Sequence, residues 1–400
     1  MSGEVEQDKL AEMAGLEGTG AATGVIAPPG VAREEVETTA AVASQWQLMW
    51  WKFRKHKLAM IGGTVTIIVY LIAIFVEPLA PFDPNKVAAT YTYAPPQRMH
   101  FIDKTGGGTK YHLYVFGYKS VIDKASLRRT FTTDESVVIP VRFFVQGYHY
   151  KLIGLIPWDR HLIGPADPSQ PMYLLGADHL GQDLFSRLIY GTRISMSIGL
   201  FGVFMSLILG ILLGGISGYF GGVVDTLLQR LIEMLRSIPT IPLWLGLAAA
   251  LPKTWGPLKV YFGITIILSL IGWTGLARVV RGRFLSLREE DFVMAARLDG
   301  CSEMRIISRY MVPSFLSHII ASLTLAIPGT ILAETSLSFL GLGLRPPLNS
   351  WGVLLQEAQN VRAVATAPWL LLPGVMVVIA VLSLNFLGDG LRDAADPYAS

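Results

Sequence analysis

Cysteine is almost absent: Cys301 stands alone among 400 residues, which excludes an intrachain disulfide framework. Charge is scarce too. Asp, Glu, Lys and Arg make up 16% of the chain, against about 25% in an ordinary soluble domain. The net charge of +3 is too small to point to nucleic acid. Catalytic signatures are missing. Without a G-x-x-x-x-G-K-S/T loop, the chain is not expected to hydrolyse ATP itself. Nor does it contain H-E-x-x-H, G-x-S-x-G or a Cys pair, so zinc-protease, serine-hydrolase and thiol-redox chemistries lack their residues. His100, His112, His149, His161 and His179 fall outside the apolar runs, with no ligand spacing to Cys or to one another, so no metal site is expected. His318 is the main ionisable residue inside an apolar run; a lone imidazole there reads as a helix-packing hydrogen bond.

What the chain has is apolar length. It is 52% hydrophobic, with mean hydropathy +0.46. Residues 1–43, rich in Gly, Ala and Glu, read as a disordered, mildly acidic tail and not as a signal peptide. Over 44–57, Trp46, Met49, Trp50 and Phe53 share a helical face, followed by Lys52, Arg54, Lys55 and Lys57. That is an interfacial helix, and its basic end predicts a cytoplasmic N-terminus. A first span covers 58–76, about enough for 30 Å of hydrocarbon. Residues 77–173 are mixed. YHLYVFGYKSV, ESVVIPVRFFV and GYHYKLIGLI read as strands, parted by turns at Gly106–Gly108 and Thr133–Asp134. They predict a β-rich insert outside the cytoplasm.

Further spans are predicted at 194–217, 227–251, 260–277, 310–333 and 367–388. Arg230, Glu233 and Arg236 form paired charges at the cytoplasmic start of the third, and Pro239 and Pro242 should bend it. The chain is therefore expected to be an all-α polytopic membrane protein with six transmembrane helices and the insert between helices one and two. Both termini would face the cytoplasm of a plasma (inner) membrane. So would the loop 278–309, as the positive-inside rule asks.

That loop lies in a polar stretch, Ala277 to Pro313, holding seven arginines and five acids. Within it LREEDFVMAARLDG reads as a short helix with acids in its first turn. Phe292, Ala295 and Ala296 are expected to form its apolar face. Gly300 sits where a helix stops with positive φ. Ser302 looks like the N-cap of a second helix running to Pro313. A short, sharply ended helix at a membrane surface suits docking to a soluble partner.

This stretch resembles the EAA loop of ABC importer permeases, E-A-A-x3-G-x9-I-x-L-P: Ala295, Ala296, Gly300 and Pro313 match, while Met294, Tyr310 and Val312 replace the family's Glu, Ile and Leu. Three further segments resemble the dipeptide/oligopeptide branch. Gly176, Asp178, Gly181, Asp183, Ser186, Arg187, Gly191 and Arg193 match G-T-D-x-x-G-R-D-x-x-S-R-x-x-x-G-x-R, with Ala177 and Gln182 departing. Residues 334–366 carry E-x-x-L-S-F-L-G-L-G with P-x-x-x-W-G beyond, the family's re-entrant outer loop; Glu334, Phe339, Gly341, Gly343 and Trp351 are among the matches. The tail 389–400 belongs to N-x-x-G-D-x-L-R-D-x-x-D-P, matched from Asn385 to Pro397.

The resemblance implies a type I ABC importer permease whose core is 174–400. It implies an ATPase-coupling set of Asp291, Phe292, Ala295, Ala296, Leu298, Gly300 and Pro313. It also implies an outer gate of Glu334, Phe339, Gly341, Gly343 and Trp351, for which a plain structural plug is the equal alternative. Implied partners are a second permease, two ATPase subunits that bind ATP and Mg, an external substrate-binding protein and the lipid bilayer. This chain would bind no cofactor and no metal, and would not itself be an enzyme. Peptides are the implied cargo, with oligosaccharides or metal chelates as alternatives. An ion-coupled transporter would need midplane carboxylates or broken helices, which the spans scarcely show. An anchored enzyme or receptor would need a catalytic set that the insert lacks.

Overall fold

Uncharged runs fold into long helices because, in hydrocarbon, each backbone N–H and C=O must find its partner within the segment. The computed structural model describes residues 45–103, 110–122 and 129–395. The tail 1–43, the turn Gly106–Gly108, and Asp396 and Pro397 lie outside the described residues, as do the side chains of Trp46 and His318. After α1 (Gln45–Lys55) come α2 (Lys57–Ile74) and the one-turn α3 (Val76–Leu79). Past the insert follow α4 (Leu184–Phe220), α5 (Gly222–Ser237), α6 (Thr240–Ala249), α7 (Pro257–Leu287) and α8 (Asp291–Leu298). Glu303–Ser314 is the second helix expected after Ser302, a continuous helical segment whose middle, Ile306–Met311, is a π-helix. Then come α9 (Leu316–Phe339), α10 (Trp351–Gln356), α11 (Val361–Thr366) and α12 (Leu372–Ala395).

Among the described residues five helices are long and apolar enough to cross a membrane, or six if the bent pair α5–α6 is one span. Several boundaries differ from the sequence reading. The span expected at 227–251 is two helices meeting at 85°. Ile238 is extended (ψ 130) and Pro239 (ψ 124) precedes the second helix, because a residue before proline avoids the helical region. The second span, expected at 194–217, lengthens at both ends into one 37-residue helix; Asp183 caps it, its Oδ2 accepting from the Ser186 N–H at 2.8 Å. The fourth span runs on to Leu287, so ten residues assigned to the loop are helical. The fifth starts at Leu316, after a break at Phe315, and ends at Phe339. Residues 334–339, expected in the outer loop, therefore belong to α9.

Glycine sets the closest helix pair. Gly210, Gly214 and Gly218 make a ridge along α4, facing α7. A Cβ on Gly214 would lie 2.5 Å from the Ala277 carbonyl oxygen, and one on Gly218 2.7 Å from that of Arg281. Only hydrogen fits there, so the backbones touch. A second core, with Val69, Met196, Ile331, Trp351 and Leu384, joins α2, α4, α9, α10 and α12.

The insert is one antiparallel sheet in the order β1 (His100–Asp103), β2 (Lys110–Ile122), β3 (Arg129–Leu152) and β4 (Ile156–Pro165). Two predicted strands merge into the 24-residue β3, whose first half pairs with β2 and whose second half pairs with β4. Thr133–Asp134 is not a turn. Phe116 faces Val138 and Gly117 faces Asp134, so three extra residues bulge out of β3 and Asp134 Oδ1 accepts from the Ser136 N–H at 3.0 Å. The true turn falls inside GYHYKLIGLI, where Ile153 and Gly154 have φ of 51° and 74°. Buried His161 ties the sheet to the helices, its Nδ1 lying 3.1 Å from the Glu77 carbonyl oxygen.

Candidate coupling surface and outer anchor

α8 forms where it was expected, and its end is set by backbone chemistry. Gly300 has φ +71°. Its N–H donates to the Arg297 carbonyl at 3.0 Å, and the Cys301 N–H donates to that of Ala296 at 3.1 Å. This pair of bonds is a Schellman motif, which satisfies carbonyls that the helix leaves orphaned. At the other end Asp291 lies in the first turn, opposing the positive end of the helix.

The buried face of α8 is not the expected one. Val293 and Ala296 are buried, packed with Tyr219, Val280, Phe284, Ile306, Met311 and Phe315. Phe292 and Ala295 turn outward, as do Asp291, Met294 and Leu298. Leu298 is 89% exposed. Ala296 is thus the only member of the predicted face that packs inward. Pro313 lies exposed in the last turn of the Glu303–Ser314 segment, just before the break at Phe315, and Gly300 lies just ahead of that segment's start.

Residues outside the predicted set fix this platform. The Arg281 guanidinium grips Asp225 through two bonds of 2.5 Å, and the Ser217 hydroxyl donates to the same carboxylate at 2.5 Å. The cytoplasm-predicted ends of α4, α5 and α7 are thereby joined. The Arg297 guanidinium lies 5.1 Å from the Tyr219 ring centre, a cation–π contact between α8 and α4. Arg281 was visible only as one of seven loop arginines, and nothing local to Asp225 marks it as their partner.

At the far end, Glu334 is wholly buried. It accepts from the hydroxyls of Ser338 and Ser350 at 2.8 Å each and from that of Ser195 at 3.2 Å. Each hydroxyl also accepts a backbone N–H: Leu344 to Ser338 (3.0 Å), Val353 to Ser350 (3.2 Å) and Trp351 to Ser195 (3.1 Å). One carboxylate therefore pins α9, the loop 340–350, α10 and α4 together. Trp351 is fully buried beside Gly191, where a Cβ would come within 3.3 Å of the ring. Gly341 turns the chain at φ +77°, and Gly343 presses on Ser338, whose N would lie 2.5 Å from a Cβ. Phe339 is half-buried. The loop borders a cavity of about 200 Å3 lined by Leu251, Trp255, Leu342 and Pro346 among others.

The matched residues between Gly176 and Arg193 brace this anchor. The Arg187 guanidinium pairs with Asp178 Oδ2 and donates from Nε to Asn349 Oδ1 at 2.8 Å. Arg193 holds Glu77 through bonds of 2.6 and 2.7 Å, and donates to the Ala73 carbonyl at 2.8 Å and the Ile74 carbonyl at 2.7 Å. Those carbonyls end α2, where a cation is favoured. Asp178, His179 and Glu357 offer possible ligand atoms within 4.8 Å of one another. However, Asp178 is already engaged by Arg187 and by the N–H groups of Leu180 and Gln182. His179 Nδ1 lies 2.9 Å from Glu357 Oε1, and that hydrogen bond raises the imidazole pKa above its usual value. The cluster reads as an ion pair.

The family model "Binding-protein-dependent transport system inner membrane component" matches residues 210–399, and "N-terminal TM domain of oligopeptide transport permease C" matches residues 44–96. The chain is 38% identical to the oligopeptide transport system permease protein OppC of Haemophilus influenzae over 240 residues, 60% of this chain and 75% of that one. It is 34% identical to the dipeptide transport system permease protein DppC of Bacillus subtilis over 232 residues, 58% of this chain and 70% of that one. With DppC of Haemophilus influenzae it shares 29% identity over 360 residues, covering 90% of this chain and 97% of that one. Among solved structures, an inward-facing conformation of the MetNI methionine ABC transporter is 17% identical, covering 52% of this chain and 96% of that one, with a TM-score of 0.41.

Proposed function

Because the chain belongs to the family of binding-protein-dependent transport inner membrane components, as its OppC and DppC relatives show, we propose that it forms half of the path of an ATP-driven peptide importer. A related permease supplies the other half. Two ATPase subunits bind ATP and Mg beneath the membrane, and an external binding protein delivers the peptide. The relatives' names support the peptide cargo. Both termini and α8 face the cytoplasm, while the β-sheet insert faces outward. Arg54 and Lys55 before α2, Lys57 at its start, and the seven arginines around α8 support that orientation.

The observation that carries the coupling role is the two-sidedness of α8. Val293 and Ala296 are buried in the permease, while Leu298 stands 89% exposed and Phe292 and Met294 are 40% and 52% exposed. An apolar helix face at a membrane surface is seated in a groove of a partner. The ATPase provides that groove. Closure of the ATPases shifts α8 as a rigid piece, with Gly300 and Pro313 at its joints, and the spans rock about the path. The outer anchor around Glu334 carries the gate residues Phe339, Gly341, Gly343 and Trp351. The insert, with Phe143, Phe144, Leu155 and Trp158 exposed, contacts the sister permease or the binding protein.

The test is Leu298→Asp in the assembled complex. Burying a leucine is worth about 1.5–3 kcal/mol, so the ATPases should dissociate at least 10-fold more readily and uptake should fall with them. Copurification and uptake at native levels would remove α8 as the docking element.

A further inference from the structure

Helices α1, α2 and α12 enclose an apolar groove of about 370 Å3, walled by Trp50, Phe53, Met60, Ile67, Leu387 and Leu391 among others. Gly63 lies on its floor, where a Cβ would sit in van der Waals contact with Leu387 Cδ1 at 3.5 Å. The Trp50 and Phe53 rings stack at 5.9 Å, and the lining residues Trp50 and Ile67 are 53% and 62% exposed. On α2 the lining positions Met60, Thr64 and Ile67 form one stripe, and Lys57 extends it one turn further. On α1 Arg54 follows Trp50 at i+4 in the same way. Both walls therefore run into a cation where α1 meets α2, and Lys55 lies between them. Arg54, Lys55 and Lys57 are all exposed. His56 closes the junction, its Nδ1 accepting from the Ala59 N–H at 3.2 Å. Asp393 on α12 faces His56 Nε2 at 3.8 Å, and among the described residues no ion pair is formed by Arg54, Lys55 or Lys57.

We propose that this groove is a binding site for an anionic phospholipid. One acyl chain lies along the stripe from Met60 to Ile67, and the phosphate and headgroup are held by Arg54, Lys55 and Lys57. The charge fits an acidic headgroup, and the uncharged wall fits a hydrocarbon chain. The stripe rises roughly 10 Å along α2, deep enough to grip a chain below its headgroup. The lipid would fix the angle of α1 against the first span, as an interfacial helix with a basic end does at an anionic surface.

The full-length chain, purified in detergent, is titrated with phosphatidylglycerol and with phosphatidylcholine of the same acyl chains, and bound lipid is counted by native mass spectrometry. One phosphatidylglycerol should be retained in clear preference. The double variant R54Q/K57Q should weaken it roughly 30-fold and leave phosphatidylcholine unchanged. T64W, which fills the groove and spares the cations, should weaken both. Equal binding of the two lipids would overturn the proposal, as would native phosphatidylglycerol binding by either variant. In the assembled complex, with C301S removing the native thiol, I67C should react with a photoactivatable thiol-linked lipid probe. Crosslinking to the sister permease instead would assign the groove to a protein contact and overturn the lipid site.

Discussion

Replacing Glu334 with alanine should loosen the end of the molecule where α9, the loop 340–350, α10 and α4 meet. Its carboxylate accepts three hydroxyl protons, from Ser338, Ser350 and Ser195, and all four residues are buried. Alanine would leave three O–H groups without an acceptor, in a place water does not reach. A buried polar group without a partner costs about 1–3 kcal/mol. Three such groups set an upper range of about 3–9 kcal/mol, from which relief of the buried carboxylate's own desolvation subtracts. The hydroxyls also keep their backbone donors from Leu344, Val353 and Trp351, which limits their collapse. A loss of about 3 kcal/mol is expected, whereas Glu334→Gln keeps a carbonyl acceptor and should lose about 1 kcal/mol. Thermal unfolding of the complex in detergent, with hydrogen exchange over the loop 340–350, would measure both. An E334A complex with a native midpoint and native protection of that loop would refute the anchor. A stable E334Q complex that no longer imports peptide would instead give the carboxylate a part in gating.

Gly300→Val should retain insertion and assembly but lose peptide uptake and ATPase stimulation. Its φ of +71° costs a β-branched residue roughly 1–2 kcal/mol of strain, while no atom within 4 Å would clash; normal uptake by this variant would sink the lever. Gly214→Leu should lower the yield of folded protein, because even its Cβ would overlap the Ala277 carbonyl. Gly246→Leu, with nothing within 4 Å, should be tolerated in the same expression assay. The His179–Glu357 contact should be sensitive to pH. The folded pKa of His179 is raised by its hydrogen bond to Glu357, so its contribution is complete below the ordinary value of about 6.5. It fades as pH rises through the raised folded value. Stability measured across that window should slope downward for the native protein and flatten for His179→Gln.

Local signals were read well where the cause is local. Gly300 needs positive φ because it follows the last helical turn, and that need is visible in its own neighbourhood. The cap that Asp183 places on α4 is equally local, three residues from Ser186, but in the sequence reading Asp183 counts only as a motif match. The face of α8 was not legible. Phe292, Val293, Met294, Ala295, Ala296 and Leu298 surround so short a helix that periodicity fits more than one stripe. The choice of Val293 was made by Phe284, Met311 and Phe315, distant in sequence or on other elements. The same holds for Asp225 with Arg281, and for Ser195 with Glu334, which are 56 and 139 residues apart. Pro239 and Pro242 foretold a bend between α5 and α6, but the 85° angle depends on how the two halves pack. The bulge in β3 passed for a turn because Thr133–Asp134 carries turn chemistry in either setting.

The length of α4 joins the two ends of the molecule mechanically. Its 37 residues, without a proline, measure roughly 55 Å. Tyr219, near one tip, sits under Arg297 of α8; Arg187, Arg193 and Ser195, near the other, clamp the outer anchor and the end of α2. Such a shaft runs unbroken from one end to the other. Force applied by nucleotide hydrolysis at the lower tip would reach the upper clamp as tilt or sliding of one stiff rod, so both ends must move in step.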